Sequence, residues 1–339
     1  MTINIAINGF GRIGRAIVRA LSQHPGDLRL VAINTGAPDP SKLIANSAYL
    51  LKYDSVHGVW NQSVEATDAG LNIGGNTVTM THHMNPEACP WGELDVDVVL
   101  ECSGAFTQGD RARAHLDAGA KKVLISAPGS NVDATIVYGV NHATLAASHR
   151  VVSNASCTTN CLAPVVQVID AVAGVASGLM NTIHAVTSDQ ALADGEHKDP
   201  RRGRAAMLSM IPTQTGAAKA IDLVLPSLAG RLDGFAVRVP TANVSLVDLT
   251  VVTERPTTID AIHDALKAAA SGPMQGVLAT NTAPLVSIDF NGHTASSIVD
   301  LTQTRLQGQQ LKVLAWYDNE IGFSNRMLDT ALAMSAAHD

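Results

Sequence analysis

Aromatic residues are scarce in this chain, 4% of 339, and charged residues make up only 16%. Any core must therefore be aliphatic, and the 46% hydrophobic content is that of a compact globular chain rather than a disordered one. Positive charge is in deficit. With 23 Lys and Arg against 30 Asp and Glu, the formal net charge of −7 argues against nucleic-acid binding as the main function, because phosphate backbones are met by clustered cations. No segment reaches the ~18 uninterrupted apolar residues of a membrane-spanning helix. The opening Met1-Thr2-Ile3-Asn4-Ile5 lacks the basic stretch and long apolar run of a secretory leader. Cysteines number only four, at 89, 102, 157 and 161, with no metal-ligand spacing, no disulfide density and no Cys-x-x-Cys pair. These absences lead to the expectation of a cytoplasmic protein with no metal site, long enough at 339 residues for two domains.

What is present begins with a short apolar run, Asn4-Ile5-Ala6-Ile7-Asn8, that reads as a buried strand. It ends in glycines at 9, 11 and 14, and a helical pattern with Ile17, Val18, Ala20 and Leu21 follows. A Gly-x-Gly-x-x-Gly between strand and helix fits a dinucleotide-binding turn. The first glycine permits the turn, the second admits a pyrophosphate to the backbone, and the third allows helix and strand to touch. An ordinary glycine-rich turn is the alternative. A second strand is expected at Leu28–Asn34, followed by Asn34-Thr35-Gly36-Ala37-Pro38, where NAD sites usually carry an acidic residue for the ribose 2′-hydroxyl. The nearest carboxylate is Asp39, so NAD is the first expectation and NADP or dual use stays open. Further strands are expected at 97–102 and 121–126 around a helical stretch near 112–118, which makes a doubly wound parallel sheet. Ser103, Gly104, Ser126 and Ala127 fall at strand ends, where ligands of such sheets bind.

The stretch Ser153-Asn154-Ala155-Ser156-Cys157-Thr158-Thr159-Asn160-Cys161 sets a cysteine at the start of a helix expected over 158–172. A helix N-terminus favours thiolate over thiol, so Cys157 is placed to be a nucleophile with a lowered pKa; the alternative is a small buried hydrophobe. Cys161, one turn on, reads as core. Beyond it, a strand over 179–186 carries His184, which on residue type alone could be a structural histidine. The charged run at 196–204 reads as a solvated face, and Pro212-Thr213-Gln214-Thr215-Gly216 leads into a helix from Ala217 in the manner of an anion site. Strands at 235–239, 244–252, 285–289 and 311–317 and a helix at 259–270 suggest a mainly antiparallel α+β second domain. A last helix is expected at 325–337, packing back on the first domain.

Along essentially its whole length the chain resembles the phosphorylating glyceraldehyde-3-phosphate dehydrogenase family. The resemblance rests on Asn8-Gly9-Phe10-Gly11-Arg12-Ile13-Gly14-Arg15, Leu51-Lys52-Tyr53-Asp54-Ser55-Val56-His57-Gly58, the Cys157 stretch, residues 212–219, Val237-Arg238-Val239-Pro240-Thr241 and Trp316-Tyr317-Asp318-Asn319-Glu320. It implies a Rossmann domain over 1–156, a catalytic domain over 157–319, residues 320–339 returning to the first, and a homotetramer. It makes Cys157 the nucleophile and His184 its base. Thiolate attack on an aldehyde gives a hemithioacetal, whose oxidation leaves a thioester that inorganic phosphate cleaves to an acyl phosphate.

By the same resemblance Arg12, Ile13, Asn34, Thr35, Asn319 and Tyr317 join the glycines, Ser103, Gly104 and Ser126 at the cofactor, with Asn319 on the nicotinamide carboxamide. Thr187, Asp189 and Arg238 match a site for the substrate's phosphate, and Ser156, Thr158, Arg202, Thr215 and Gly216 one for the attacking phosphate. Relatives that oxidise erythrose 4-phosphate are similar at Pro128-Gly129-Ser130-Asn131 and Thr302-Gln303-Thr304-Arg305, but typically lack counterparts of Thr187 and the Thr-x-Thr-Gly run at 213–216. The expected substrates are therefore glyceraldehyde 3-phosphate and inorganic phosphate. Erythrose-4-phosphate dehydrogenase is one alternative and a catalytically silent NAD-binding interaction protein the other. Departures from the family pattern are the missing acidic residue after Asn34, a longer segment before Lys52, and Gly195, Glu196, Pro200 and Gly203 in the charged loop.

Overall fold

The computed structural model describes residues 2–24, 27–36 and 43–337, so the expectation placed on Asp39 lies outside the described residues. The chain folds as two compact units, Met1–Ile136 with His142–Ala155 and Ser324–Asp339, and Val137–Asn141 with Ser156–Phe323.

The first unit is built on a nine-stranded sheet in the order Ala134–Thr135, Val151–Ser153, Lys122–Ile125, Val98–Glu101, Ile3–Asn8, Leu28–Asn34, Asn76–Thr81, Gly70–Ile73, Val64–Thr67. The first seven run parallel, and the last two fold back as antiparallel hairpins that the strand pattern does not announce. Ile5, Ile7, Ile33, Val99, Leu100 and Leu124 are fully buried, as strands covered on both faces require. The helix Arg12–Leu21 follows the first strand directly. The helical stretch expected near 112–118 forms two single turns, Gly109–Ala112 and Ala114–Asp117.

The second unit carries an eight-stranded sheet in the order Ile211–Gln214, Leu232–Arg238, Val175–His184, Ser245–Thr253, Gln310–Tyr317, Ser297–Asp300, Leu278–Asn281, with Arg305–Gln307 added alongside Gln310–Tyr317. Pairing is mainly antiparallel. Two pairs are parallel, Val175–His184 with Leu232–Arg238 and Leu278–Asn281 with Ser297–Asp300. Alternation along Val175–His184 buries Met180, Thr182 and His184 and turns Leu179 outward. The helices Cys157–Ala173 and Ile259–Ser271 pack on each other, and the first of them lies on strands of this sheet. The strand expected at 285–289 is instead a tight turn, Ser287–Phe290, because Asp289 accepts the Val286 N–H at 2.9 Å and closes the backbone on itself. The helix expected from Ala217 is one turn, Ile221–Val224.

Candidate active site

Cys157 is the first residue of its helix. Ser156 caps it, its hydroxyl accepting the Thr159 N–H at 3.0 Å, and Gly174 at φ 69° ends it. Immediately upstream, buried Ala155 sits in the left-handed region at φ 55°, a strained turn of the kind that gathers at functional sites and that sequence does not announce. Cys157 as a residue is half-buried, and its sulfur faces His184 Nε2 at 3.6 Å. His184 is almost wholly buried at the end of Val175–His184, and its Nδ1 donates to the Ala185 carbonyl at 2.6 Å. With the proton held on Nδ1, Nε2 is left as an acceptor for the thiol.

Burial, reinforced by the charge of Arg238, lowers the His184 pKa to about 3. Burial also pushes the Cys157 thiol up, against the opposing pull of Arg238 and of hydrogen bonds from Thr158 and the first-turn backbone. The expectation of a lowered thiol pKa is thus corrected: the helix terminus acts as expected, but desolvation outweighs it. The pair rests as neutral thiol and neutral imidazole.

Around it lies a cationic cluster. Arg238 donates to Thr187 Oγ1 at 2.6 Å, and Thr187 donates in turn to Asp189. Arg202 donates to the other Asp189 oxygen at 2.8 Å and through Nε to Thr213 at 3.0 Å. Burial disfavours the Asp189 charge, but the Thr187 hydrogen bond and the two arginines hold its carboxyl below the ordinary range. Arg238 Nε is buried and bonded to nothing, a donor in reserve. Thr215 Oγ1 accepts the Ala217 N–H at 3.2 Å, which leaves Gly216 exposed at the turn. Thr187, Asp189 and Arg238 come together, and Arg202, expected at the other phosphate site, joins them through Asp189, with Thr213 beside it. Ser245 is not among the expected residues. Its hydroxyl accepts the Ala185 N–H at 3.0 Å and donates to Asn319 Oδ1 at 2.8 Å, fixing the Asn319 amide. Nothing in the strand pattern around Ser245 distinguishes it from a neighbour.

Two residues expected to touch ligand do not offer their side chains. Tyr317 is 1% exposed, and its hydroxyl is held by Thr158 at 2.8 Å and Thr182 at 2.7 Å. It braces the sheet under the Cys157 helix. The Thr158 hydroxyl is shared between this contact and the Cys157 sulfur.

In the first unit the glycines have separate reasons. Gly9, at φ 97°, has room for no Cβ, since one would lie 2.4 Å from the Ser103 nitrogen. At Gly14 a Cβ would meet the Gly9 carbonyl oxygen at 2.3 Å. At Gly11 nothing lies within 4 Å. The turn is thus closed on two sides and open on the third, beside a helix N-terminus whose first N–H groups suit a diphosphate. Ile13, half-buried, follows Arg12 in the first turn of that helix. Ser103 and Gly104 are exposed beside this turn, and the Ser126 N–H donates to the Glu101 carbonyl. Arg12 is engaged by Asp54 at 2.7 and 3.2 Å. Thr35 Oγ1 is bonded to His82 Nδ1 at 2.9 Å. The Asn34 side chain is not offered to a ligand: it is 1% exposed, and its amide is saturated by Asn8, Thr81 and both backbone groups of His83.

A glycine-turn parallel sheet in one unit and a thiol paired with a neutral imidazole in the other define an NAD-dependent oxidoreductase of the two-domain dehydrogenase class. Comparison with known proteins narrows this. Residues 3–109 match the glyceraldehyde 3-phosphate dehydrogenase NAD binding domain, and residues 156–319 match the glyceraldehyde 3-phosphate dehydrogenase C-terminal domain. Over 341 residues the chain is 56% identical to glyceraldehyde-3-phosphate dehydrogenase of Pseudomonas aeruginosa, covering 100% of both chains. It is 55% identical over 342 residues to the plasmid-encoded glyceraldehyde-3-phosphate dehydrogenase of Cupriavidus necator, covering 99% of this chain and 100% of that one. With the Streptomyces arenae glyceraldehyde-3-phosphate dehydrogenase 2 it shares 48% identity over 338 residues, 99% of this chain and 100% of the relative. The chain belongs to the glyceraldehyde-3-phosphate dehydrogenase family.

Proposed function

We propose that this protein oxidises glyceraldehyde 3-phosphate with NAD and inorganic phosphate to the 1,3-bisphosphate acyl phosphate. The observation that carries the reading is Cys157 Sγ facing the unprotonated Nε2 of His184 at 3.6 Å. As the aldehyde carbon approaches, His184 Nε2 takes the thiol proton, the sulfur–carbon bond forms, and Nε2 passes that proton to the carbonyl oxygen, so that a hemithioacetal results and the imidazole is again neutral. Burial keeps the resting imidazole neutral, so Nε2 is free to take this proton when the aldehyde arrives. NAD supplies the acceptor for the hydride that leaves the hemithioacetal carbon. His184 accepts the hydroxyl proton at that moment, and a thioester on Cys157 remains for phosphate to cleave.

Arg238, Thr187 and Asp189 are assigned to the aldehyde's phosphate, and Arg202, Ser156, Thr215, Gly216 and the Thr158 backbone to the attacking phosphate. Charge-assisted hydrogen bonds from guanidinium groups suit both. Asn319, fixed through its oxygen by Ser245, keeps its amide nitrogen for a ligand acceptor, for which the family resemblance names the nicotinamide carboxamide. The open face at Gly11 supports NAD on the first unit. A homotetramer is proposed on the family resemblance. The outward face of the second sheet, where Leu179 is 68% and Phe235 51% exposed, offers an apolar surface for a second copy. Four free cysteines suit the reducing cytoplasm.

The erythrose 4-phosphate reading rests on residues 128–131 and 302–305. In the fold these carry local architecture. Gly129 donates to Ser153 Oγ at 3.0 Å, and the Arg305 guanidinium donates to the Thr302 and Thr304 carbonyls at 3.2 and 2.9 Å. The kcat/KM ratio for the two aldehydes tests the choice: preference for the three-carbon sugar supports the reading, and a tenfold preference for the four-carbon sugar overturns it. No reduction of NAD with either aldehyde favours the catalytically silent protein.

A further inference from the structure

Polar side chains inside a parallel sheet need a reason, because both faces are usually apolar. At the carboxyl ends of four adjacent strands this sheet carries a polar row. Backbone register pairs Glu101 with Asn8, Asn8 with Asn34, and Asn34 with Thr81. The side chains are joined in the same order. Asn8 Nδ2 donates to Glu101 Oε2 at 2.5 Å, Asn34 Nδ2 to Asn8 Oδ1 at 2.7 Å, and Thr81 Oγ1 to Asn34 Oδ1 at 2.9 Å. Glu101, Asn8 and Asn34 are 1%, 4% and 1% exposed.

Glu101 anchors the row. Its Oε2 also accepts from His115 Nε2 at 3.0 Å, and Oε1 accepts from the Ser103 N–H at 2.8 Å and the Ser103 hydroxyl at 2.5 Å. His115 is fully buried, and its Nδ1 receives the Trp91 indole N–H at 3.0 Å. An indole nitrogen only donates, so the histidine's own proton sits on Nε2 and points at Glu101. All four partners are therefore donors, an arrangement that a carboxylate satisfies and an amide in its place does not.

The row lies under the residues that would meet a dinucleotide. Gly9 follows Asn8 directly and stands so close to Ser103 that no Cβ fits between them. Thr35 follows Asn34. We propose that Glu101 is a positioning residue for dinucleotide binding, holding the Gly9 turn and the Ser103–Gly104 loop in binding geometry through Asn8 and Ser103 without touching the ligand. The proposal rests on the NAD reading above. It explains a buried acidic group that takes no part in the thiol chemistry, and it uses residues from four strands that no local motif connects.

The test is NAD affinity by titration, with separate KM values for NAD and for the aldehyde, in the wild type and in Glu101→Gln. The amide keeps the shape but sets a donor against donors. Expected is a rise in both Kd and KM for NAD of about tenfold, the effect of losing roughly one charge-assisted hydrogen bond. The aldehyde KM and the rate of Cys157 alkylation without NAD should stay within about twofold, a split that general loosening of the fold does not give. Asn8→Asp in the Glu101→Gln background gives the new amide an acceptor and should recover part of the affinity. If Glu101→Gln fails to fold, Glu101→Asp, which withdraws the carboxylate by one methylene, is read in the same way. NAD affinity unchanged in the folded variant overturns the positioning role. A wild type that binds no NAD refutes the functional reading instead.

Discussion

The neutral state of His184 has a measurable consequence for stability. Its pKa in the folded chain is about 3, against 6.5 for an ordinary histidine. A histidine whose folded pKa is depressed binds its proton more readily when unfolded, so stability falls as pH drops below 6.5 and stops falling below about 3. Between pH 6.5 and pH 5 the loss is 1.5 pH units at ~1.36 kcal/mol each, about 2 kcal/mol from this side chain alone. The residue is 4% exposed, so solvent screening takes little of this away. The assay is urea unfolding followed by fluorescence at pH 7.5 and pH 5 for the wild type and His184→Asn. Because other groups titrate in both proteins, the quantity of interest is the difference between the two pH dependences. The wild type should lose about 2 kcal/mol more than His184→Asn over this interval. Equal losses would refute the claim that burial keeps this imidazole neutral.

Other outcomes follow from the same geometry. Because burial raises the Cys157 thiol, alkylation by iodoacetamide without NAD should keep accelerating above pH 8, and Arg238→Gln, which removes the main opposing charge, should slow it. A plateau below pH 7 would contradict this. Arg238→Leu should raise the KM for the aldehyde by about tenfold to a hundredfold, the range for one hydrogen bond to a charged group, with the KM for NAD unchanged. Gly11→Ala should fold with the wild-type melting temperature yet bind NAD weakly, since the added methyl meets nothing in the chain. Gly9→Ala should melt lower, because its Cβ meets the Ser103 backbone. The reverse order of the two would contradict this assignment of a packing role to Gly9 and a ligand-clearance role to Gly11.

Much of this is legible in the chain because the relevant physics is local. The steric demand at Gly14 comes from Gly9, five residues away, and the capped helix at Cys157 announces itself through Ser156 and the apolar run behind it, whereas the demand at Gly9 comes from distant Ser103. Arg202 and Arg238 stand out as cations beside hydroxyl-rich turns. Tyr317 departs from expectation although the pattern holds the answer: in Gln310–Tyr317 alternate residues are buried, and Tyr317 falls in step with Leu311, Val313 and Ala315. Motif membership gives its neighbourhood, and the period of two gives its direction. Asn34 looks like a polar strand end open to ligand, and nothing in the run at 97–102 says what a buried Glu101 would pair with. Their burial depends on register between strands far apart in sequence, which the chain does not spell out. The pKa of Cys157 misleads for a similar reason, since the helix terminus is local whereas desolvation comes from every element around the sulfur.

A thioester formed at Cys157, with His184 as base, is the centre of the proposed chemistry. Rapid mixing of the protein with NAD and glyceraldehyde 3-phosphate, without phosphate, measures this most directly. The expected result is a burst of NADH equal to the number of Cys157 thiols, followed by slow turnover that phosphate accelerates, and no burst in Cys157→Ser although NAD still binds. Steady NADH formation at the same rate without phosphate, or a burst retained in Cys157→Ser, would contradict it.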